Sequence, residues 1–315
     1  MRNTLLEVKH LAKYFKSKHY IIRAVEGISF SIQKAETLGL VGESGSGKST
    51  VAKLILRLMA ITSGSISYDG REISTMSQKA FRPFRRRMQM IPQDPFSSLN
   101  PQMTIGASIR EPLKIHDLGT SSEQEKKVQE IMEQIGIEPE ALLSFPDQFS
   151  GGQLQRIGIA RALILRPEFV ICDEPVSALD VSIQAQILNL LKELQKEFQL
   201  TYLFIAHNLA VVERISDRVA VMYLGHFMES ADVNTIYNHP AHPYTRALLR
   251  SVPQMAVGQK NERFILSGDI PSPSNPPQGC VFNTRCPEKM DVCFHKAPAW
   301  IEINKDQFVA CHLVK

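Results

Sequence analysis

Thr37-Leu38-Gly39-Leu40-Val41-Gly42-Glu43-Ser44-Gly45-Ser46-Gly47-Lys48-Ser49-Thr50 decides the fold. Its first five residues are a compact apolar run that meets glycine, which reads as a buried strand. The next eight, Gly42 to Ser49, fit the spacing G-x-x-x-x-G-K-[ST], and Thr50 follows. Residues 51–59 then read as a helix. Strand, glycine-rich loop and helix in that order build a cradle for phosphate. Glycines let consecutive backbone N–H groups turn toward an anion with no Cβ in the way, and the helix N-terminus adds positive dipole at the same point. In this reading Gly42, Ser44, Gly45, Ser46, Gly47 and Thr50 line the phosphates of a nucleotide. Lys48 reaches the β and γ phosphates, and Ser49 ligates Mg²⁺.

Outward from the loop, buried-strand patterns recur at Phe169-Val170-Ile171-Cys172 and at Thr201-Tyr202-Leu203-Phe204-Ile205-Ala206. Runs without polar alternation are buried on both faces, as in a mostly parallel sheet covered by helices. Helical faces lie between them: Val128, Ile131, Met132 and Ile135, with Ser122 and Glu125 read as a capping box, and Ile183, Ile187, Leu190, Leu191 and Leu194. The alternation argues an α/β fold. Residues 1–252 are assigned to one nucleotide-binding domain and 253–315 to a C-terminal extension. Pro253, Pro271, Pro273, Pro276 and Pro277 mark a linker at 253–279. The remainder is too short to bury much core unaided, so it is expected to need a metal or to pack on the main domain.

The chain has 315 residues, 43% of them hydrophobic and 22% charged, with a formal charge of +4. These are the proportions of an ordinary globular protein. The charge is too mild to argue for nucleic acid by itself. No signal-peptide core and no apolar run of bilayer length occurs, so any service to a membrane is expected to go through a membrane protein.

The strand at Phe169 runs into Asp173-Glu174. An apolar strand ending in two acids places them at the carboxyl edge of a parallel sheet, where such sheets bind ligands. Asp173 is assigned to Mg²⁺ and Glu174 to the attacking water, as the positioned base. Cys172 reads as a small buried hydrophobe.

Ser150-Gly151-Gly152-Gln153, followed by Leu154-Gln155-Arg156, resembles the signature of ABC ATPases. The resemblance implies an ABC-type nucleotide-binding domain with an antiparallel N-terminal β part at about 4–40 and a helical subdomain at about 95–165. It also implies ATP as substrate and a dimer in which each signature meets the nucleotide held by the opposite subunit. Gln93 is similar to the Q-loop glutamine that senses Mg²⁺ and couples to the membrane subunits. Ser177-Ala178-Leu179-Asp180 resembles the D-loop, and His207 resembles the switch histidine. Phe15 is similar to the aromatic that stacks on adenine, with Tyr14 as the alternative.

Three segments resemble the oligopeptide, dipeptide and nickel importer ATPases in particular: residues 93–101, 174–182, and His239-Pro240-Ala241-His242-Pro243-Tyr244-Thr245. The surroundings of the phosphate loop look most like the second, F-type ATPase subunit of these systems. Pro92 departs from the aromatic usual at that position. The resemblance implies a peripheral protein on the cytoplasmic face of the cell membrane. Its expected partners are two transmembrane permease subunits, a second ATPase subunit forming a heterodimer, and an extracytoplasmic solute-binding protein. The cargo is a short peptide, with nickel, glutathione or another small solute as alternatives. A soluble ABC ATPase of translation or DNA repair is the reading from another class. Against it stand a single motif set and the lack of a long heptad tract.

Cys280, Cys286, Cys293 and Cys311 cluster in the tail. They resemble the C-terminal module of peptide-importer ATPases, some of which hold a [4Fe–4S] cluster on four cysteines. Zn²⁺ is the alternative, though close cysteine pairs are missing, and bare thiols are the third. Arg82, Arg85, Arg86 and Arg87 form a basic run without interleaved aromatics, which reads as a solvated face and not as a nucleic-acid surface.

Overall fold

The computed structural model describes residues 3–251 and 268–314. The start of the expected linker and the 252/253 boundary lie outside the described residues. The chain forms two compact units, one of residues 1–33, 37–75 and 206–315 and one of residues 34–36 and 76–205.

The first unit contains an antiparallel sheet. Thr4–Lys16 pairs on one side with Ile21–Gln33 and on the other with Ser63–Tyr68, which turns into Arg71–Glu72. Leu6, Val8, Leu11, Val25, Ile28, Ile32 and Ile66 are buried beneath it. The strand Thr37–Val41 pairs in parallel with Arg218–Tyr223, as its compact apolar run implies, so the antiparallel part does not extend to residue 40. Arg218–Tyr223 turns through Leu224 and Gly225, both at positive φ, into the antiparallel strand His226–Asp232. The tail then joins this sheet. Gln307–Val309 pairs with His226–Asp232, and Ile301–Asn304 pairs with Gln307–Val309. Thus the extension is secured by backbone ladder bonds, which its sequence periodicity did not announce.

A buried carboxylate reinforces the join. Glu229 is fully buried and accepts the N–H groups of Ala241 (2.8 Å) and His242 (3.0 Å) and the Gln307 side-chain amide (3.2 Å). A buried charge is tolerable only when satisfied in this way. The His239–Thr245 segment is therefore a structural hinge-pin. His242 caps the helix Pro243–Arg250 with Nδ1, accepting the Tyr244 N–H at 3.0 Å.

The second unit is built on three parallel strands, Met88–Ile91, Phe169–Asp173 and Thr201–Ala206, in the order of a βαβ crossover. Helices Gln78–Arg87, Ile105–Ile115, Ser121–Gln134, Gly151–Leu163 and Val181–Phe198 accompany them. Of the expected apolar faces, Val128, Ile131, Met132 and Ile135 are buried on one, and Ile187, Leu190, Leu191 and Leu194 on the other, where Ile183 is only half-buried. Two local expectations need correction. The capping box is Thr120 with Glu123, not Ser122 with Glu125; Ser122 already lies inside the helix. Thr120 wins because Gly119 turns the chain at φ +80°, and the Glu123 carboxylate accepts the Thr120 N–H at 2.6 Å. The helix after the phosphate loop spans Lys48–Ile55, starting inside the motif and ending early at Leu56, before Arg57 turns to φ +52°.

Candidate nucleotide site

In the first unit every residue of Thr37–Val41 is buried, so the strand is a fixed platform for the loop that leaves it. Two of the loop glycines are dictated by their neighbours. A Cβ on Gly42 would lie 2.1 Å from the Met222 carbonyl oxygen, and one on Gly47 would lie 2.2 Å from that of Ala24. The loop is thus pressed onto the backbones of two other strands. The Gly225 N–H donates to the Ser46 carbonyl at 2.9 Å, which closes the same contact.

Lys48 is 4% exposed and starts the helix. Its Nζ donates to the carbonyls of Gly42 (2.8 Å) and Glu43 (3.0 Å). Ser44 and Gly45 are exposed at the loop crest, while Ser46 is buried and Ser49 and Thr50 are half-buried. His207 is exposed just after the strand Thr201–Ala206 and before Asn208, which caps the helix Leu209–Ile215.

Phe15 and Tyr14 fare differently. The Tyr14 hydroxyl donates to Glu26 at 2.5 Å, and that bond, with burial, raises the phenol's pKa. Phe15 is half-buried with no such commitment, and the Lys13 ammonium lies 5.1 Å from its ring centroid.

In the second unit Asp173 is buried at the end of its strand. Glu174 follows at φ +48°, in the left-handed region that a residue with a side chain rarely adopts. Such a conformation costs about 1–3 kcal/mol. It is held by the Glu174 N–H on the Ile205 carbonyl (3.0 Å) and by Ser177, whose N–H and hydroxyl donate to the Glu174 carbonyl at 3.2 and 3.1 Å. Sequence patterning gave no sign of this turn. Cys172, next to it, has no exposure, and burial pushes its thiol pKa up strongly, as befits a buried hydrophobe.

Ser150 caps Gly151–Leu163 as expected, in a full capping box with Gln153. The Ser150 Oγ accepts the Gln153 N–H at 3.4 Å, and the Gln153 side-chain Oε1 accepts the Ser150 N–H at 3.0 Å. Gly152 is required by packing: a Cβ there would sit 2.6 Å from a methyl carbon of Ile183. Asp180 occupies the N-cap position of Val181–Phe198 without capping it, and the residue is exposed. Gln184, which the sequence did not single out, holds this turn by donating to the carbonyls of Val176 (3.0 Å) and Leu179 (2.9 Å).

Gln93 is exposed in the loop after Met88–Ile91. Beside that loop is a groove of about 220 Å³ whose lining includes Arg85, Gln89, Pro92, Ile115 and Arg161. Arg161 braces it by donating to the Ser98 carbonyl (3.2 Å) and to Glu111 (2.8 Å). The basic run lies on Gln78–Arg87, whose Phe81 and Phe84 face inward; Arg87 forms a two-point pair with Glu168 at 2.8 and 2.7 Å.

In the first unit Ser49 carries a hydroxyl oxygen, and in the second Asp173 carries a carboxylate and Gln93 an amide oxygen, each a donor type that a hard cation such as Mg²⁺ accepts. The tail cysteines are different. Their thiols feel one another's charge, yet burial is the main reason that Cys280 is pushed up to about 11 and that Cys286 and Cys311 are raised. Among the described residues no group of three or more His, Cys, Asp or Glu side chains is placed to hold a metal. The expectation of a [4Fe–4S] cluster or zinc therefore gains no support from the geometry.

Comparison with known proteins agrees with this picture. Residues 25–177 match the family described as ABC transporter, and residues 228–293 match the oligopeptide/dipeptide transporter C-terminal region. A putative oligopeptide transport ATP-binding protein of Bacillus subtilis, YkfD, is 52% identical over 318 residues, covering 100% of this chain and 97% of its own length. The oligopeptide transport ATP-binding protein AppF of the same organism is 50% identical, with 99% and 98% covered. Haemophilus influenzae OppF, another oligopeptide transport ATP-binding protein, is 49% identical, with 98% and 97% covered. Among solved structures, the dimeric post-hydrolysis state of the ATP-binding cassette MJ0796 with ADP and phosphate is similar at TM-score 0.67 and 28% identity, over 72% of this chain and 98% of that one. The structure of cbiO1 from Clostridium perfringens, part of the ABC transporter complex cbiONQ, is similar at TM-score 0.68 and 26% identity, over 75% and 92%.

Proposed function

The chain belongs to the ABC transporter ATP-binding family, and we propose that it hydrolyses ATP to drive uptake of short peptides across the cytoplasmic membrane. One observation carries this reading: a complete phosphate loop and an oligopeptide-transporter C-terminal region occur in the same chain. Peptide is the cargo we infer, with nickel, glutathione or another small solute as the outcomes that uptake assays would separate.

The residues divide the work. Phe15 stacks on adenine; its half-exposed ring and the committed hydroxyl of Tyr14 support that choice. Gly42, Ser44, Gly45, Ser46, Gly47 and Thr50 wrap the phosphates, and Lys48 leaves the loop carbonyls to meet them. Ser49, Asp173 and Gln93 hold Mg²⁺, which when bound neutralises charge on the β and γ phosphate oxygens. Glu174 orients the attacking water and accepts its proton, and His207 contacts the γ-phosphate. Ser150, Gly151, Gly152, Gln153 and Asp180 complete the site of a second ATPase subunit in a heterodimer. The groove beside Gln93 receives a cytoplasmic segment of a transmembrane permease. Two permeases and an extracytoplasmic solute-binding protein complete the complex, and no nucleic acid takes part.

No helix among the described residues is long and apolar enough to cross a membrane, which suits a peripheral place on the cytoplasmic face. The finer cofactor reading, a [4Fe–4S] cluster or Zn²⁺ on Cys280, Cys286, Cys293 and Cys311, rests on the softness of the thiols and the resemblance of the tail, and contributes no step. Iron, sulfide and zinc analysis of anaerobically purified chain tests it.

The test of the whole reading is affinity purification from detergent-solubilised membranes, followed by uptake of labelled peptides. Two multi-spanning proteins and a second ATPase are expected to co-purify, with peptide uptake lost on disruption of this chain. Recovery of ribosomes or DNA-repair factors in their place overturns the transport assignment.

A further inference from the structure

We propose that the C-terminal tail sets this chain's affinity for nucleotide by gripping the phosphate loop at Glu43, with Arg285 and Tyr244 as positioning residues. The inference rests on reading residues 42–50 as the nucleotide loop.

Glu43 fills a position of the motif where any residue is allowed. Here it is held on every side. Its N–H donates to the Tyr244 hydroxyl at 3.0 Å. Its carboxylate accepts both arms of the Arg285 guanidinium, at 2.6 and 3.0 Å. Its carbonyl accepts Lys48 Nζ at 3.0 Å and the Ser46 N–H at 3.2 Å. The carbonyl that Lys48 leans on therefore belongs to a residue fixed from more than 200 positions away in sequence.

The grip is shielded and rigid. The Arg285 side chain is 6% exposed and that of Glu43 is 26% exposed, so bulk salt screens the pair weakly. A two-armed guanidinium fixes direction as well as distance. The groups that hold Glu43 are themselves immobile. Arg285 donates its N–H to the Phe282 carbonyl at 3.1 Å. Phe282 is fully buried, with its ring 5.2 Å from Tyr244 and 5.3 Å from Tyr223. Tyr223 and Tyr244 are 4.8 Å apart. Three buried rings thus join the tail, the helix Pro243–Arg250 and the strand Arg218–Tyr223 into one block.

A loop held in one conformation loses less freedom on capturing phosphates. Without the grip the competent conformation becomes a fraction of the ensemble, and apparent affinity falls by that fraction.

The experiment titrates a fluorescent ATP analogue, with Mg²⁺, into the purified full chain. The variants are Glu43→Gln, Arg285→Ala, Arg285→Lys, the Glu43→Gln/Arg285→Ala double, Tyr244→Phe and Lys48→Ala. Arg285→Ala and Glu43→Gln are each expected to weaken binding about tenfold, and the double no further, because both remove the same contact. Arg285→Lys is expected to fall between, since it keeps charge but loses the fork. Tyr244→Phe is expected to weaken binding about threefold, the effect of losing one neutral hydrogen bond. In steady-state assays KM for ATP is expected to rise with kcat held, the mark of lost binding without lost chemistry. Arg285→Ala and Glu43→Gln at wild-type affinity, with Lys48→Ala defective, would overturn the grip and leave the loop reading standing. Wild-type affinity in Lys48→Ala would overturn the loop reading itself. A loss in Arg285→Ala that Glu43→Gln does not share would mean the tail had unfolded, and that too defeats the proposal.

Discussion

The phosphate loop and the signature turn are both glycine-rich helix starts, yet they are held in opposite ways. Ser150 and Gln153 hold the signature by themselves, three residues apart, through a reciprocal capping box. The acidic turn at Glu174 and the segment to Asp180 are likewise tied by near neighbours, Ser177 and Gln184. The phosphate loop has no side-chain cap at its helix start. It is shaped instead by the backbones of Ala24 and Met222, by the Gly225 turn, and by Tyr244 and Arg285. A local clasp forms as soon as its helix forms. A long-range clasp exists only once the tail has docked, so the shape of this loop depends on the completed tertiary fold.

The largest effect should separate chemistry from capture. Glu174→Gln is expected to lower turnover of the assembled complex by about 10²–10⁴-fold, the usual worth of a positioned base. ATP binding should persist, because Glu174 is assigned to the attacking water and not to holding the nucleotide. Steady-state hydrolysis at the normal rate would remove Glu174 from its role.

Next comes the long-range side of the comparison. Gly42→Ala places a methyl against the Met222 carbonyl, and relief of that overlap is expected to cost about 1–3 kcal/mol. Nucleotide binding and thermal stability should fall together, since the loop and the strand behind it share the contact. A variant that bound ATP normally would show that the loop tolerates movement away from that strand.

The local side predicts a smaller and separable loss. Ser150→Ala removes a cap and is expected to cost about 1 kcal/mol of stability, read by denaturant unfolding. Nucleotide binding by the isolated chain should be unaffected. A matching loss of nucleotide affinity in the single chain would erase the distinction between the two turns.

Last comes the pin beneath the tail. Burial lowers His242 to about 3, so the folded protein keeps it neutral while the unfolded chain protonates it near 6.5. Its contribution is therefore present above about pH 6.5 and is lost as pH falls toward 3. The slope approaches about 1.4 kcal/mol per pH unit between those limits. His242→Asn, which keeps a capping acceptor, should flatten the pH dependence of melting between pH 6.5 and 5. An unchanged slope would shift the acid sensitivity to other groups.

Short-range order was legible in the sequence. The buried strands Thr37–Val41, Phe169–Asp173 and Thr201–Ala206 were visible in the apolar runs at 37–41, 169–172 and 201–206. The signature cap was visible because its two partners lie within one helical turn. What sequence could not give was any contact whose partners lie far apart along the chain. The tail's strand pairing with His226–Asp232 depends on backbone groups, which every residue carries alike. The left-handed turn at Glu174 is imposed by surrounding hydrogen bonds against the residue's own preference. Glu43 and Arg285 carry no local pattern; their charges acquire meaning only when folding brings residue 285 beside residue 43 and excludes water from between them. Periodicity and spacing report what a segment can do by itself. Which segments meet is decided by packing of the whole chain, and in this protein that meeting shapes the phosphate loop.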